Sequence, residues 1–465
     1  MNNTEGRNAD VFKRHGLRRI VNASGTETTK GASPVCPEVI SAVAELVAHS
    51  VDMAELQSVA CHVIAKAVGA EAGVVVNCTA AGICMSMAGC MTGKNLARIE
   101  RLPDTDGLKN EVILQRGHNV TYGGYVEQHI RTIGENTIEI GAATECGVYQ
   151  LEDSITDQTA CALYVVSHHT VQSGLIDLAS FAAACRKRGV PVIVDAAAEP
   201  DPKSYLDAGA DLVIFSVHKR LAGLTGGIVA GRLDLVQATY WQEKGIGRPM
   251  KVGKETVISA IAALERWMSR DRAVVASDLD ARLAQAVELL SGLPGIRAVT
   301  EIDSTSPTFS RLHLYVDADA AGLSAFELSQ ELWNTTPSIN IRNLMADIGL
   351  LQLDLRLQTM ESTTWICGEI VRIARAATGR QRGATPGSQS GRPDRAEHEA
   401  LAADTQTAGL RRKRCQRLRQ KTVIFAERGS LPMSTMTRPG NSSAFYVCRI
   451  RTTIRHGVRS QFRLS

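Results

Sequence analysis

Hydrophobic and polar positions follow two different periods along the first 250 residues. Short apolar runs typical of buried strands lie between stretches whose apolar residues are three or four positions apart, as in amphipathic helices. The apolar runs are 74–76, 112–115, 162–166, 192–195, 212–215 and 227–230. The helical stretches include 178–188 and 51–70, where Leu56, Val59, Val63 and Ile64 share a face. This alternation predicts an α/β fold with a doubly wound, mostly parallel sheet and helices on both faces.

The pattern changes near residue 251. Two long helical patterns, 255–267 and 279–290, precede a strand pattern at 312–316, a helical pattern at 326–333 and a short strand pattern at 339–341. A helical pattern over 363–377 closes this part. We therefore predict an N-terminal segment over 1–50, a large domain over 51–250 and a small α+β domain over 251–378.

Residues 379–465 form a third kind of sequence. They contain 18 Lys and Arg, of which 16 are Arg, against 5 Asp and Glu, whereas residues 1–378 contain 34 basic and 43 acidic residues. The stretch 379–395 is rich in Gly, Ser, Pro and Arg, which is typical of a disordered linker. We predict a basic tail of low order. Nucleic-acid binding through this tail is an alternative that we do not favour.

The composition indicates where in the cell the protein is expected. The 11 cysteines show no disulfide-framework spacing and no CxxC pair, which indicates reduced thiols and a cytoplasmic protein. The first 19 residues are polar and charged, so no secretory signal is expected. The longest uncharged stretch, 72–93, contains Asn77, Thr79 and several glycines. It predicts a buried strand, a glycine turn and a packed helix rather than a membrane span.

The clearest chemical signal is an acid and a lysine at the ends of two predicted strands. Asp195 ends the run Val192-Ile193-Val194, and Lys219 follows the run 212–215 within Ser-Val-His-Lys. A buried carboxylate requires a partner of opposite charge. A protonated pyridine ring is such a partner, and a lysine is the residue that forms a Schiff base with pyridoxal 5′-phosphate (PLP).

Other strand ends add polar groups. The turn from Thr79 to Gly82 opens a helix and can present free N–H groups to a phosphate. Arg342, in the small domain, can bind a substrate carboxylate through two hydrogen bonds. Paired His168 and His169 lack further ligands at suitable spacing, so no metal site is expected. The remaining candidates at strand ends are His118, Ser167, Gln172, Ser216 and His218.

Taken in order, these motifs resemble those of a known group. The segments are Asn-Ala-Ser-Gly-Thr (22–26), Thr-Ala-Ala-Gly-Ile (79–83), Gln-Arg-Gly-His (115–118), Ser-His-His-Thr-Val-Gln (167–172), Val-Asp-Ala-Ala-Ala-Glu (194–199) and Ser-Val-His-Lys (216–219). They resemble the fold-type I PLP enzymes related to selenocysteine synthase (L-seryl-tRNA selenium transferase), and most of all the branch with D-glucosaminate-6-phosphate ammonia-lyase. The resemblance covers about residues 10–377.

The resemblance implies a role for each candidate. Lys219 would be the Schiff-base lysine, Asp195 would pair with the pyridine nitrogen, and His118 would lie over the ring. His169 would lie near the cofactor hydroxyl. Apart from the resemblance, the strand-end positions lead us to expect that Ser167 contacts the cofactor and that Gln172 and Arg342 contact substrate. The cofactor phosphate would be held by Thr79, Ala80, Ala81, Gly82, Ser216 and His218. The resemblance also implies a homodimer or higher homo-oligomer, with residues 22–26 near a neighbouring site.

Two enzyme hypotheses follow from the resemblance. The first is a lyase that removes the β-hydroxyl and then ammonia from a hydroxy amino acid such as D-glucosaminate 6-phosphate, giving a 2-oxo acid, with Lys219 as base and His118 or His169 as acid. The second is an L-seryl-tRNA selenium transferase. The segment 22–26 leaves no room before it for the tRNA-binding domain of those transferases, which favours the lyase.

Overall fold

The computed structural model describes residues 10–199, 201–303 and 306–383 of the chain, so the predicted basic tail lies almost wholly outside the described residues. The strands are β1 Ile20–Asn22, β2 Ala72–Val76, β3 Glu111–Gln115, β4 Asn136–Ile140, β5 Thr159–Val165, β6 Val192–Asp195, β7 Leu212–Ser216, β8 Gly227–Gly231, β9 Ile296–Asp303, β10 Ser306–Val316, β11 Ser338–Asn340, β12 Arg342–Met345 and β13 Leu350–Leu353.

The helices alternate with these strands. They are α1 Val11–His15, α2 Pro37–Val47, α3 Met53–Val68, α4 Thr79–Thr92, α5 Leu96–Arg101, α6 Val126–Thr132, α7 Val148–Ser154, α8 Leu178–Lys187, α9 Pro202–Asp207, α10 Leu233–Trp241, α11 Lys254–Ser269, α12 Arg272–Leu289, α13 Ala318–Ala321, α14 Ala325–Trp333 and α15 Met360–Gly383. No helix in the described part of the chain is long and apolar enough to cross a membrane.

A seven-stranded sheet is the centre of the fold. Its order is β2-β8-β7-β6-β5-β3-β4; the strands from β7 to β4 are parallel, and β8 runs antiparallel to both of its neighbours. One face packs against α2, α3, α8 and α11, and the other against α4, α6 and α10. The predicted α/β class and the mostly parallel sheet are confirmed. Apolar strands with helices on both faces bury nearly all of their side chains.

Some details differ from the sequence prediction. Val59 is 48% exposed, because the buried stripe of α3 runs through Leu56, Ala60, Ile64 and Val68, four residues apart. The edge strand β4 was not predicted, because its sequence Asn-Thr-Ile-Glu-Ile lacks a continuous apolar run.

A second, four-stranded antiparallel sheet of order β12-β13-β10-β9 packs against α12, α14 and α15 around a separate core. The short strand β1 pairs in parallel with β11 and so attaches the N-terminal segment to this part. Helix α11 contributes Val257, Ala260 and Leu264 to the core of the large sheet, whereas α12 contributes Leu279 and Leu283 to the second core. The boundaries that we predict for the two domains stay a prediction.

Candidate active site

The strand register brings three chain segments to one edge of the large sheet. Ser216, the last residue of β7, pairs with Gly227, the first residue of β8, and Gly227 in turn pairs with Val76, the last residue of β2. Asp195 ends β6 and pairs with Ile214 of β7. The turn after β2, the acid and the loop that carries Lys219 therefore share the edge where open α/β sheets bind their ligands.

Lys219 lies in the turn that follows β7, and the N-terminal segment fixes this turn. The backbone N–H of Ser33 donates to the carbonyl of His218 at 3.2 Å, and the Ser33 hydroxyl donates to the carbonyl of Lys219. Burial lowers the pKa of Lys219, while the negative charges of Asp195 and Glu199 oppose this shift. A neutral amine is thus favoured more than on a surface lysine.

Asp195 is a buried acid without a hydrogen-bond partner on one oxygen. Asp195 is 5% exposed, and its Oδ1 has no hydrogen-bond partner among the described residues. Burial raises the pKa of Asp195 to about 6, although Lys219 and the amide of Ala197 lower it. Burying such an oxygen costs free energy unless a bound ligand donates a hydrogen bond to it. A protonated ring nitrogen would do so.

The start of α4 forms a narrow cradle of backbone groups. The amide of Ala81 donates to the Cys78 sulfur at 3.4 Å, and the amide of Gly82 donates to the Cys78 carbonyl at 3.0 Å. The amides of Thr79 and Ala80 are the remaining ones of the first turn and are suited to an anion. A Cβ on Gly227 would lie 2.6 Å from the Cys78 carbonyl carbon and 2.8 Å from the Thr79 nitrogen, so glycine is needed beside the cradle.

Gly82 serves packing in this structure. A Cβ there would lie 3.0 Å from Ile214 and 3.1 Å from Val229, both within the sheet. The absence of a side chain at this position lets α4 approach the strands closely. Its predicted contact with a cofactor phosphate stays a prediction.

Ser216 and His218 form a hydrogen-bonded pair beside Lys219. The Ser216 hydroxyl lies 3.1 Å from His218 Nδ1, and Ser216 is buried. His218 Nε2 is buried and has no partner among the described residues. Burial and the charge of Lys219 lower the pKa of His218. A phosphate oxygen would satisfy the open imidazole nitrogen.

His118 lies at the same sheet edge, in a short 3-10 helix after β3 rather than in the loop that we expected. Its Nδ1 accepts a 3.3 Å hydrogen bond from the amide of Val165, the residue paired with Asp195 in the sheet. The proton of the neutral ring is therefore on Nε2. Burial lowers the pKa of His118 to about 4, and its ring meets Tyr164 edge to face, with 4.5 Å between the ring centroids.

The loop after β5 holds itself together through its own hydrogen bonds. The amide of His169 donates to the Ser167 hydroxyl, and the side-chain nitrogen of Gln172 donates to the carbonyls of Ser167 and Thr170. Gln172 thus closes the loop, and its predicted substrate contact stays a prediction. Desolvation and the charges of Arg342 and Lys219 lower the pKa of His169. The rings of His168 and His169 lie 3.9 Å apart.

Arg342 is the first residue of β12, and its predicted role in substrate binding stays a prediction. Its Nε donates to the carbonyl of Ser24 at 2.9 Å, so segment 22–26 positions it. Desolvation and the charge of Arg342, followed by those of His169 and Arg311, lower the pKa of His168 to about 3.

Sequence reasoning missed a buried arginine cluster around Phe309. The guanidinium groups of Arg356, Arg220 and Arg311 lie 3.6, 4.7 and 5.3 Å from the centre of its ring. Arg311 binds Asp303 at 2.7 Å, and Arg356 binds Asp354. The available signals were Arg220 directly after Lys219 and the charged residues within the apolar strand patterns of the small domain.

Two further residues were missed. Glu199 closes the motif Val-Asp-Ala-Ala-Ala-Glu, is 7% exposed and has an unpartnered Oε2. Tyr122, whose ring stacks on His129, has a raised pKa because of desolvation and the nearby charges of Asp195, Cys84 and Cys78. No motif in the sequence singled out Tyr122.

Comparison with known proteins finds relatives over most of the chain. The family model for L-seryl-tRNA selenium transferase matches residues 20–279. The chain belongs to this family. Among curated relatives, D-glucosaminate-6-phosphate ammonia lyase of Salmonella typhimurium is 33% identical over 368 residues, which cover 79% of this chain and 99% of the relative. The 5′-C-glycyluridine monooxygenase-decarboxylase of a Streptomyces species is 35% identical, over 74% of this chain and 87% of the relative.

Solved structures place the family in fold type I. The structure of a D-glucosaminate-6-phosphate ammonia-lyase matches with a TM-score of 0.73 at 33% identity and covers 80% of this chain and all of that one. The serine palmitoyltransferase of Sphingomonas wittichii has the same fold, with a TM-score of 0.50 at 14% identity over 77% of this chain and 88% of that one.

The cofactor of this group is PLP, and the site fits it. The unpartnered Asp195 Oδ1 suits a ring nitrogen, the open His218 Nε2 and the first amides of α4 suit a phosphate, and Lys219 suits the aldehyde. Within the described residues, no cluster of three or more His, Cys, Asp or Glu side chains could hold a metal ion.

Proposed function

We propose that this protein is a lyase that removes the β-hydroxyl of a hydroxy amino acid and releases its nitrogen as ammonia, leaving a 2-oxo acid. The observation that carries the proposal is the placement of Lys219 and Asp195 at neighbouring strand ends. The charges of Arg342 and Arg311 act on the paired histidines of the loop after β5, at the same edge of the sheet, which makes this region basic. A sugar acid such as D-glucosaminate 6-phosphate carries negative charge that this region would attract. The name of the Salmonella relative supports this substrate class.

The cofactor, when bound, supplies an electron sink for negative charge that develops at the substrate Cα. Lys219 would hold the cofactor and, once released from it, would take the Cα proton, because burial favours its neutral amine. Asp195 would keep the ring nitrogen protonated by pairing with it.

Arg342 would orient the substrate through its carboxylate. Arg342 is fixed by Ser24, so the guanidinium is held in place before substrate binds. His169 would donate a hydrogen bond to the leaving hydroxyl, since it lies at the same edge of the sheet and the charges of Arg342 and Lys219 act on it. His118, neutral and with its proton on Nε2, is the second candidate for this role.

The test is to supply the purified, PLP-loaded protein with D-glucosaminate 6-phosphate and to follow the release of ammonia and a 2-oxo acid. Lys219→Ala should abolish release, whereas the surface variant Lys203→Ala should not change it. Oxygen uptake with CO2 release, as the name of the Streptomyces relative describes, would overturn the lyase proposal. Selenium transfer to seryl-tRNA without ammonia release would also overturn it.

A further inference from the structure

Residues 23–36, which we call the linking segment, run from β1 to α2 and contact two distant parts of the fold. The first residues of the linking segment contact the part around the small sheet, where Arg342 lies. The last residues contact the lysine turn, residues 217–222, which carries Lys219. The proposed reaction uses the arginine at one end and the lysine at the other, and it gives the residues between them no task.

The first end of the linking segment is bound to residues of the small sheet. The amide of Asp354, which follows β13, donates to the carbonyl of Ala23 at 2.8 Å, and Nε of Arg342 donates to the carbonyl of Ser24 at 2.9 Å. Gly25 has a φ of 106°, and a Cβ there would lie 2.9 Å from Asp354 Oδ2. Glycine therefore lets the chain pass close to this buried acid, and this end is fixed to the same part of the fold as Arg342.

The other end of the linking segment is bound to the lysine turn on both sides of Lys219. The amide of Ser33 donates to the carbonyl of His218 at 3.2 Å, and the Ser33 hydroxyl donates to the carbonyl of Lys219 at 2.5 Å. The amide of Cys36 donates to the carbonyl of Ala222 at 3.0 Å. Ser33 is 5% exposed, so water does not compete for these bonds. The main chain of the lysine is thus held by the linking segment.

Backbone strain is concentrated at this contact. Ala32 has a φ of 56° and Ala222 a φ of 54°, and among the described residues these are the two that have a positive φ without being glycine. Ala32 precedes Ser33, and Ala222 accepts the hydrogen bond from Cys36. A non-glycine residue keeps such a conformation at a cost in free energy, and it does so where the surrounding structure holds it, often at a functional site.

We propose that Ser33 is a positioning residue for Lys219 and that the linking segment fixes the lysine turn relative to Arg342, a role that rests on the proposed lyase function. In that function Lys219 must reach the substrate Cα while Arg342 holds the substrate carboxylate. A misplacement of about 1 Å between such groups costs roughly 100-fold in rate. Ser33 acts on this separation through the main chain of the lysine turn, so it is not itself a catalytic residue.

Ser33→Ala tests the proposal, with Thr239→Val as a matched control. Thr239 is also buried, and its hydroxyl donates to a main-chain carbonyl, that of Leu235, at 2.8 Å within α10. The readouts are kcat, KM and the rate at which the absorption band of lysine-bound PLP appears after PLP is mixed with cofactor-free protein. In Ser33→Ala we expect kcat and this attachment rate to fall roughly tenfold, with KM within about twofold. Thr239→Val should leave all three unchanged.

Asn22→Ala tests the other end of the linking segment. Asn22 Oδ1 accepts a 3.1 Å hydrogen bond from the amide of Ser24, and its Nδ2 donates to the carbonyl of Gly25 at 2.7 Å. Within the described residues, the hydrogen bonds of the Asn22 side chain do not reach the lysine turn. We nevertheless expect the PLP attachment rate of Asn22→Ala to fall roughly threefold, and its KM to rise, because the segment joins the two ends. A wild-type attachment rate in this variant would overturn the link.

A further variant separates positioning from folding. Ser33→Thr retains a hydroxyl and should recover part of kcat and of the attachment rate. A Ser33→Ala protein with wild-type kcat and attachment rate would overturn the proposal, as would a loss of kcat that only matches the loss of folded protein in thermal unfolding. If wild-type protein releases no ammonia, the lyase function fails, whereas the attachment rates of the variants still decide the role of Ser33.

Discussion

Arg220 donates a hydrogen bond of 2.8 Å from Nε to the main-chain carbonyl of Ala198. This bond joins the loop after β7, which carries Lys219, to the loop after β6, which carries Asp195 and Glu199. Burial lowers the pKa of Arg220 to about 9. The Arg220 guanidinium therefore links the two loops that carry the lysine and the acids, and the effects of substitutions in these loops should be coupled.

Replacement of Asp195 by Asn should change the pH dependence of the cofactor-free protein. A folded-state pKa of about 6 is above the usual value of 3.8, so the stability contribution of Asp195 is full below pH 3.8 and is lost as pH rises through 6. Asp195→Asn removes this loss in the free energy of unfolding, which amounts to about 3 kcal/mol at most.

Thermal unfolding of the two cofactor-free proteins from pH 4 to 8 measures this difference. The variant should unfold at a higher temperature than wild type above pH 6, and its affinity for PLP should fall at least tenfold because the ring nitrogen loses its ion pair. Equal pH profiles for the two proteins would contradict the assignment of Asp195 as an unpartnered buried acid.

Gly227→Ala should weaken cofactor binding by displacing the backbone at the start of α4. The new Cβ would come within 2.6 to 2.8 Å of Cys78 and Thr79 main-chain atoms, so the start of α4 must move. We expect at least a tenfold weaker Kd for PLP by absorbance titration. Gly368→Ala is the matched control, since nothing lies within 4 Å there and the residue is inside α15. It should leave Kd unchanged and stabilise the fold by about 0.5–1 kcal/mol.

Arg342→Ala should raise KM more than it lowers kcat. A charge-assisted hydrogen bond contributes about 1.5–3 kcal/mol, which corresponds to roughly a 10- to 100-fold rise in KM. Arg342→Lys should recover only part of this, because lysine cannot form the paired hydrogen bonds. Arg372→Ala, at an exposed arginine paired with Glu369, is the control. An unchanged KM in Arg342→Ala would remove this arginine from the substrate site.

Asp354→Asn should destabilise the small sheet and its contact with the N-terminal segment. Asp354 is 1% exposed, its amide donates to the carbonyl of Ala23, and although burial raises its pKa, Arg356 and Arg311 hold that pKa well below the usual range. Removal of one member of a buried ion cluster costs about 3–5 kcal/mol. Urea unfolding should show this loss, whereas Asp207→Asn, in an exposed pair with Lys203, should change stability by less than about 0.5 kcal/mol.

Much of the fold and the centre of the site could be predicted from sequence. Buried parallel strands read as unbroken apolar runs, so β3, β5, β6 and β7 were recognisable, and Asp195 and Lys219 stood out as polar residues at their ends. The edge strand β4 and the stripe on α3 that leaves Val59 exposed were not predicted, because exposure on one side depends on neighbours that are distant in sequence.

The sequence by itself determined which residues end the strands, and this was sufficient to indicate the cofactor chemistry. Only the tertiary structure decided which charges meet. Arg220, Arg311 and Arg356 are far apart in the chain and come together around Phe309 because the loop after β7 meets β10 and the segment after β13. Glu199 becomes a buried acid where the loops after β6 and β7 meet. Local sequence patterns determine the periodicity of each element and the residue at which each strand ends. Burial, and the Coulomb interactions that shift pKa values, depend on contacts between distant segments.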